Sequence, residues 1–204
     1  MYIKGVKFHI MNHQGKRLFI TGIPTSGKSY LAKVLAEQVG GTAVSLDDLR
    51  ESLSTDESFR KWATFYLDTD EKTYLTTVSA EEQWNNLVAQ SEGLWPSFLC
   101  EIANYELEPR PVIFECVNIL PHLAKADLDF SGVVLIGTSY EETLARNIKD
   151  PRWGGTLELQ ELEAKTFFYV ERPYYKKEAE KFEYPVFEKA DDAFDYCLRL
   201  VNGF

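Results

Sequence analysis

With 204 residues the chain holds one α/β domain with a sizeable core and an inserted subdomain, and it is too short for two full domains of ordinary size. Its 45% hydrophobic and 26% charged residues are those of a folded soluble protein, while a net charge of −10 lacks the basic surplus that binding along a nucleic-acid polymer requires. The apolar run Val133 to Ile136 is far too short to cross a bilayer and no signal-peptide pattern opens the chain, so a cytoplasmic protein with no membrane partner is expected.

Residues 1–16 form an N-terminal extension. Val6-Lys7-Phe8-His9-Ile10 alternates as a strand does, and Asn12-His13-Gln14-Gly15 reads as a turn; a loose extension is the alternative. The apolar run Leu18-Phe19-Ile20 then meets a glycine-rich turn, followed by a helical pattern that carries Leu31, Ala32, Val34 and Leu35. In that turn Gly22, Gly27, Lys28 and Ser29 satisfy G-x-x-x-x-G-K-[ST], the phosphate-binding P-loop. The glycines let the backbone curl so that successive N–H groups and the helix N-terminus face one anion. Lys28 is then expected on the β- and γ-phosphates of ATP, with the Ser29 hydroxyl on Mg²⁺. Gly22, Pro24, Thr25, Ser26, Gly27, Lys28, Ser29 and the adjacent Tyr30 form the expected nucleotide-binding set.

Gly40-Gly41 ends this helix, and Thr42-Ala43-Val44-Ser45-Leu46 reads as a buried second strand. It delivers Asp47-Asp48-Leu49-Arg50 to the carboxyl edge of the sheet, where ligands of open α/β sheets sit. Asp47 suits a general base for an acceptor hydroxyl or an orienter of Mg²⁺ and its waters; an ordinary N-cap is the structural alternative. Arg50, one turn on, suits an anionic acceptor.

Residues 51–110 read as a mostly helical, aromatic insertion on the acceptor side. Phe59, Trp62, Phe65 and Tyr66 mark a first segment, and an acidic connection, Asp68-Thr69-Asp70-Glu71, follows. Ser79-Ala80-Glu81-Glu82 is a capping-box start for a helix through Trp84, Leu87 and Val88, continuing past Gly93 and Pro96 toward Tyr105. Val112-Ile113-Phe114 resumes the sheet and ends in Glu115, a carboxylate placed to serve Mg²⁺ or to bond loop N–H groups. Asn118, just beyond, joins Arg50 on the acceptor side.

Val133 to Gly137 reads as the fourth strand, and Ser139-Tyr140-Glu141-Glu142 opens a helix carrying Leu144 and Arg146. Positive charge then gathers at a Pro/Gly-rich break, so residues 146–156 read as a lid. From it Arg146 and Arg152 would neutralise the transferring phosphoryl group. Thr156 to Phe182 is helical with a kink or break at Pro173, Tyr184-Pro185-Val186-Phe187 an edge strand, and Ala190 to Val201 a final helix. The three cysteines, Cys100, Cys116 and Cys197, are expected as reduced core residues; His9 and His13 are too few and isolated for a metal site, and His122 reads as a surface or satisfied residue and not as a base.

Taken together, GIPTSGKS, SLDDLR, VIFECVN and ETLARNIKDPR resemble the P-loop kinases of the polynucleotide-kinase type, and VIFECVNILP is also similar to the kinases acting on 2-phosphoglycerate. The resemblance spans most of the P-loop core and leaves Glu51 to Arg110 uncovered. It implies a three-layer α/β sandwich with a parallel five-stranded sheet in the order 2-3-1-4-5, Asp47 as the base, Arg50 near the acceptor and Arg146 as a lid arginine. Two departures stand out: the lid continues as KDPRWGG instead of a denser basic run, and Cys116 stands where a phosphoglycerate-type kinase often has glycine.

The function expected is ATP-dependent phosphoryl transfer to a hydroxyl of a small metabolite, with Lys28, Asp47, Arg146 and Arg152 catalytic and Ser29, Asp47 and Glu115 serving Mg²⁺. A 5′-hydroxyl kinase for a nucleic-acid end and a non-catalytic ATP-binding switch are the alternatives. A guanine-nucleotide switch finds no support: Asn147-Ile148-Lys149-Asp150 misplaces the lysine of N-K-x-D, and the D-x-x-G at Asp129 to Gly132 precedes the fourth strand.

Overall fold

Short runs of β-branched and aromatic residues alternate here with longer segments apolar on one side, the pattern that builds a parallel sheet covered by helices. The computed structural model describes residues 16–53, 59 and 70–202. The N-terminal extension, apart from Lys16, and Trp62, Phe65 and Tyr66 of the aromatic segment lie outside the described residues. In chain order the strands are β1 (Arg17–Gly22), β2 (Thr42–Ser45), β3 (Val112–Glu115), β4 (Gly132–Leu135) and β5 (Val186–Phe187). The helices among the described residues are α1 (Lys28–Val39), α2 (Leu46–Leu53), α3 (Glu71–Thr77), α4 (Ala80–Ala103), α5 (Pro121–Asp127), α6 (Tyr140–Lys149), α7 (Leu157–Lys165), α8 (Arg172–Lys181) and α9 (Ala190–Asn202), with a π-helical stretch, Thr166–Glu171, joining α7 to α8.

The sheet is parallel throughout, in the order β2-β3-β1-β4-β5, as expected. Its register carries the functional consequence. Glu115 pairs with Ile20 of β1 and with Ser45 of β2, so β2 and β3 end level with one another while β1 runs two residues further to Gly22 and the glycine loop. Apolar side chains fill both faces. Leu18, Ile20 and Leu135 pack against Leu31 and Leu35 of α1 and against Ala193, Cys197 and Val201 of α9. On the other face Phe19, Val44 and Phe114 pack against Leu94, Phe98 and Ile102 of α4. Truncating such a fully enclosed Leu or Phe to alanine costs about 2–5 kcal/mol.

Local chemistry sets the ends of the helices. The Ser79 hydroxyl accepts the Glu82 N–H at 3.2 Å, the cap that Ser-x-x-Glu promised, and α4 runs through Gly93 and Pro96 to Ala103. Asp70, part of the expected acidic connection, instead caps α3, accepting from the Thr73 N–H at 2.9 Å. β2 stops at Ser45 and α2 begins at once with Leu46, so Asp47 sits inside the first turn and is not its cap.

At Pro173 the coil does not break. Proline lacks an N–H and crowds the carbonyl four residues back; here it opens α8, where no donor is needed, and the wider π turn immediately before it gives the room. Among the described residues β5 pairs only with β4, and Pro185 just before it contributes its carbonyl, which accepts from Val134 N–H at 3.0 Å. One cysteine departs from expectation: Cys116 and Cys197 are buried, whereas Cys100 lies on the outer face of α4 and is exposed.

Candidate active site

The loop between β1 and α1 is held in shape by its own polar groups. The Ile23 carbonyl accepts from both Ser26 Oγ and Lys28 Nζ at 2.8 Å. Gly22 has φ 125°, and a Cβ there would fall 1.9 Å from the Leu135 carbonyl oxygen, so β4 passes too close for any side chain. Gly27, with φ 98°, starts α1 and leaves the first amides of this 12-residue helix without a side-chain cap. Free amides at a helix N-terminus, with the dipole behind them, are an anion site. Thr25 adopts φ 60°, left-handed for a residue with a Cβ, and turns its carbonyl to Arg146 Nη1 at 3.0 Å. Through that bond, and an ion pair with Glu142, Arg146 ties α6 to the loop.

Two acids face this loop from the neighbouring strands. Burial pushes the Lys28 ammonium toward its neutral form, opposed by the negative charges of Asp47 and Glu115. Glu115 is raised, by burial and then by the Asp47 charge, against the pull of Lys28 and of hydrogen bonds from Ser45 and Ser29. Its Oε2 is buried with no hydrogen-bond partner among the described residues. Asp47 Oδ1 receives the Arg50 guanidinium at 3.2 Å and the Cys116 thiol at 3.3 Å. Burial raises the Cys116 thiol well above its ordinary value, which keeps it protonated as the donor. Arg50, itself buried, also donates to Asn118 Oδ1 at 3.1 Å. Asn118 spends its amide on Gln90 Oε1 and Ser91 Oγ, each at 2.9 Å.

Three hollows run together over this edge of the sheet. The middle one, about 250 Å³, is lined by Lys28, Ser29, Asp47, Glu115 and Arg152. On one side it shares Thr25, Lys28, Ser29 and Arg152 with an open hollow of about 610 Å³, along which lie Gly27, Tyr30, Arg146 and Lys149. On the other it shares Pro24, Arg50, Val117 and Trp153 with a more enclosed cavity of about 130 Å³, walled by α3, α4 and the π turn. Most of the expected residues therefore gather in one place. Asn118 does not reach the cavity wall: it is fully buried and braces Arg50 from behind. Arg152 is exposed and pairs loosely with Asp150 at 3.8 Å.

The expected lid is attached to α7 at its far end. Trp153 and Gly154 N–H donate to Glu163 Oε1 at 3.2 and 2.8 Å, and the Gly154 carbonyl accepts from Gln160 Nε2 at 3.2 Å. Sequence reasoning missed the enclosed cavity's own residues, Glu71, Tyr74, Glu163 and Glu171. Only the eight-residue spacing of Glu163 and Glu171 hinted that they share a side, a pattern any solvated helix also shows.

A divalent ion fits the middle hollow. Ser29 and the acids Asp47 and Glu115 are hard oxygen donors, and the partnerless Glu115 oxygen is what a cation or its water would satisfy. Among the described residues no group of three His, Cys, Asp or Glu side chains forms a metal cluster of its own. An ion held there would therefore draw on phosphate oxygens and water as well.

The glycine loop at the head of α1 and the sheet order define the fold as that of the P-loop nucleoside triphosphatases. Solved kinases share it. A shikimate kinase from Bacteroides thetaiotaomicron superposes with a TM-score of 0.51 at 12% identity, covering 92% of this chain and 98% of that one. A deoxyadenosine kinase from M. mycoides, solved with bound dATP, superposes with a TM-score of 0.50 at 15% identity, covering 92% of this chain and 99% of that one. No family model matches the sequence, and no curated protein matches it either. No helix among the described residues is long and apolar enough to cross a membrane.

Proposed function

We propose that the protein is an ATP-dependent kinase that phosphorylates a hydroxyl of a small molecule. The observation that carries this reading is the lining of the middle hollow, where Lys28 of the phosphate loop and the carboxylate of Asp47 share one wall-to-wall space of about 250 Å³. ATP would lie along the open hollow with its phosphates over the loop amides, and the acceptor would enter from the enclosed cavity. Asp47 takes the acceptor's proton. The hydroxyl oxygen forms the new bond to the γ-phosphorus, the bond to the β–γ bridging oxygen breaks, and ADP leaves with that electron pair.

Lys28 and Arg152 hold the developing charge on the phosphoryl oxygens, and Arg146 supports them by fixing the Thr25 carbonyl and with it the loop's curvature. Mg²⁺, held through Ser29 with Asp47 and Glu115 beside it, would supply charge neutralisation across the phosphates. Most of the acceleration in such a reaction comes from positioning and electrostatics. The acidic acceptor cavity weighs against a polyanionic nucleic-acid end.

The test is transfer of label from γ-labelled ATP to a panel of hydroxyl metabolites with Mg²⁺ present. A labelled product whose formation Asp47→Asn abolishes, with ATP still bound, supports the reading. Slow ATP loss indifferent to every acceptor would overturn it in favour of a non-catalytic ATP binder.

A further inference from the structure

The enclosed cavity has a charge character opposite to that expected from Arg50. Its walls carry three carboxylates, Glu71, Glu163 and Glu171, against the one guanidinium of Arg50. That guanidinium is already engaged with Asp47 at 3.2 Å and Asn118 at 3.1 Å. Glu163 is likewise spoken for, accepting the Asn147 amide at 2.7 Å and the lid N–H groups. The other two acids are not fully partnered: among the described residues, Glu171 Oε2 and Glu71 Oε1 are both buried without a hydrogen-bond partner. Aromatic rings complete the enclosure, with Tyr74 and Phe167 buried and Trp153 set edge-on to Phe167 at 5.9 Å.

Carboxylates with unsatisfied oxygens among aromatic faces make a site for a cation with apolar flanks. A carboxylate or phosphate on the acceptor would meet repulsion there. A neutral polyol would have to donate to every free oxygen to do as well. Building on the kinase reading above, we propose that the phosphate acceptor is a compact amino alcohol, whose protonated amine is held in this cavity by Glu71 and Glu171 while its hydroxyl faces Asp47. The acids themselves respond to their setting: burial pushes Glu171 up to about 7, and burial together with a hydrogen bond to Glu163 pushes Glu71 up to about 7. A bound ammonium would restore the charged forms of both.

Ethanolamine, N,N-dimethylethanolamine and choline serve as probes, with ethylene glycol and glycolate as neutral and anionic counterparts. Two readouts are taken: phosphorylated product with ATP and Mg²⁺, and calorimetric binding of the probes, together with hydroxyl-free tetramethylammonium. The expected result is turnover and binding of the amines at least tenfold better than of either counterpart. Glu171→Gln should raise the amine KM tenfold or more, with the KM for ATP as internal control; Glu71→Gln provides the same readout if the first variant folds poorly. Glu180→Gln, on the exposed side of α8, should change neither.

If ethylene glycol or glycolate is phosphorylated as well as the amines, the amine assignment is overturned and the kinase reading survives. Amine binding without turnover of any probe overturns the kinase reading and keeps the cavity's preference for cations. Neither binding nor turnover overturns both.

Discussion

The two ends of the channel are built by different means. The phosphate end is backbone: the curl of residues 22–27, the amides of α1 and one lysine, contiguous in the chain and held mostly by bonds within the loop, with Arg146 as the one distant side chain described on it. The acceptor end is side chain: Arg50, Glu71, Tyr74, Glu163 and Glu171, drawn from α2, α3, α7 and the π turn, and held by long-range partners. A backbone site tolerates little and binds what every member of its fold binds. A side-chain site can be rewritten one residue at a time, so on the proposed kinase reading specificity would be located there.

The largest effect should come from breaking the phosphate end sterically. Gly22→Ala puts a Cβ 1.9 Å from the Leu135 carbonyl oxygen at a positive φ, so β1 or β4 must move. A loss of about 4 kcal/mol or more, read as a collapsed Tm or insoluble expression, is expected. Next is Asp47→Asn, which keeps the shape and removes the base. The acceptor-dependent kcat should fall by about 10²- to 10⁴-fold with ATP binding retained, measured by single-turnover transfer.

A third prediction concerns the acceptor end through pH. Glu171 goes from an ordinary 4.5 to about 7 in the folded chain. Between those values the folded state keeps a proton that the unfolded state has released, so this residue's contribution to stability declines as pH rises through that window. By pH 8 the loss is on the order of 3 kcal/mol. Glu171→Gln should remove the decline, giving a higher Tm than the parent above pH 7 and little difference at pH 4.5. A flat difference across pH would show that the carboxyl is solvated and the acceptor end less closed than described.

The smallest effect is far from both ends. His122 Nδ1 meets Glu178 Oε1 at 2.7 Å, linking α5 to α8, and that bond raises the imidazole's pKa. Its stabilisation is complete below the unfolded value near 6.5 and fades as pH rises through the raised one. His122→Gln should cost about 1 kcal/mol at pH 5.5 and less at pH 9, with transfer kinetics unchanged.

This contrast also explains what could be read from the sequence. The glycine loop, Asp47 at the end of β2 and Glu115 at the end of β3 were legible because each is fixed by local rules: a spacing, and an acid closing an apolar run. The sheet order came with the resemblance of those same stretches. Glu71, Glu163 and Glu171 were illegible because nothing local marks a carboxylate that turns inward. Their burial is decided by how α3 packs on α7 and how the π turn packs on α4. Asn118 erred in the opposite sense: it sits beside the site in sequence, but its amide is drawn away to Gln90 and Ser91 on α4.

The π turn at Thr166–Glu171 has a consequence for how such a site changes over time. Each of its hydrogen bonds spans one more residue than those of the α-helix around it, and Glu163 and Glu171 lie on either side of most of that excess. Deleting one residue there would restore ordinary helical winding and swing one acid relative to the other by about 100° around the axis. The cavity would exchange one of its charges for whatever residue came into register, with every other wall intact. If the cavity holds the acceptor as proposed, a change of chain length by one residue, outside the phosphate loop and silent in any motif, is a direct route from one acceptor class to another.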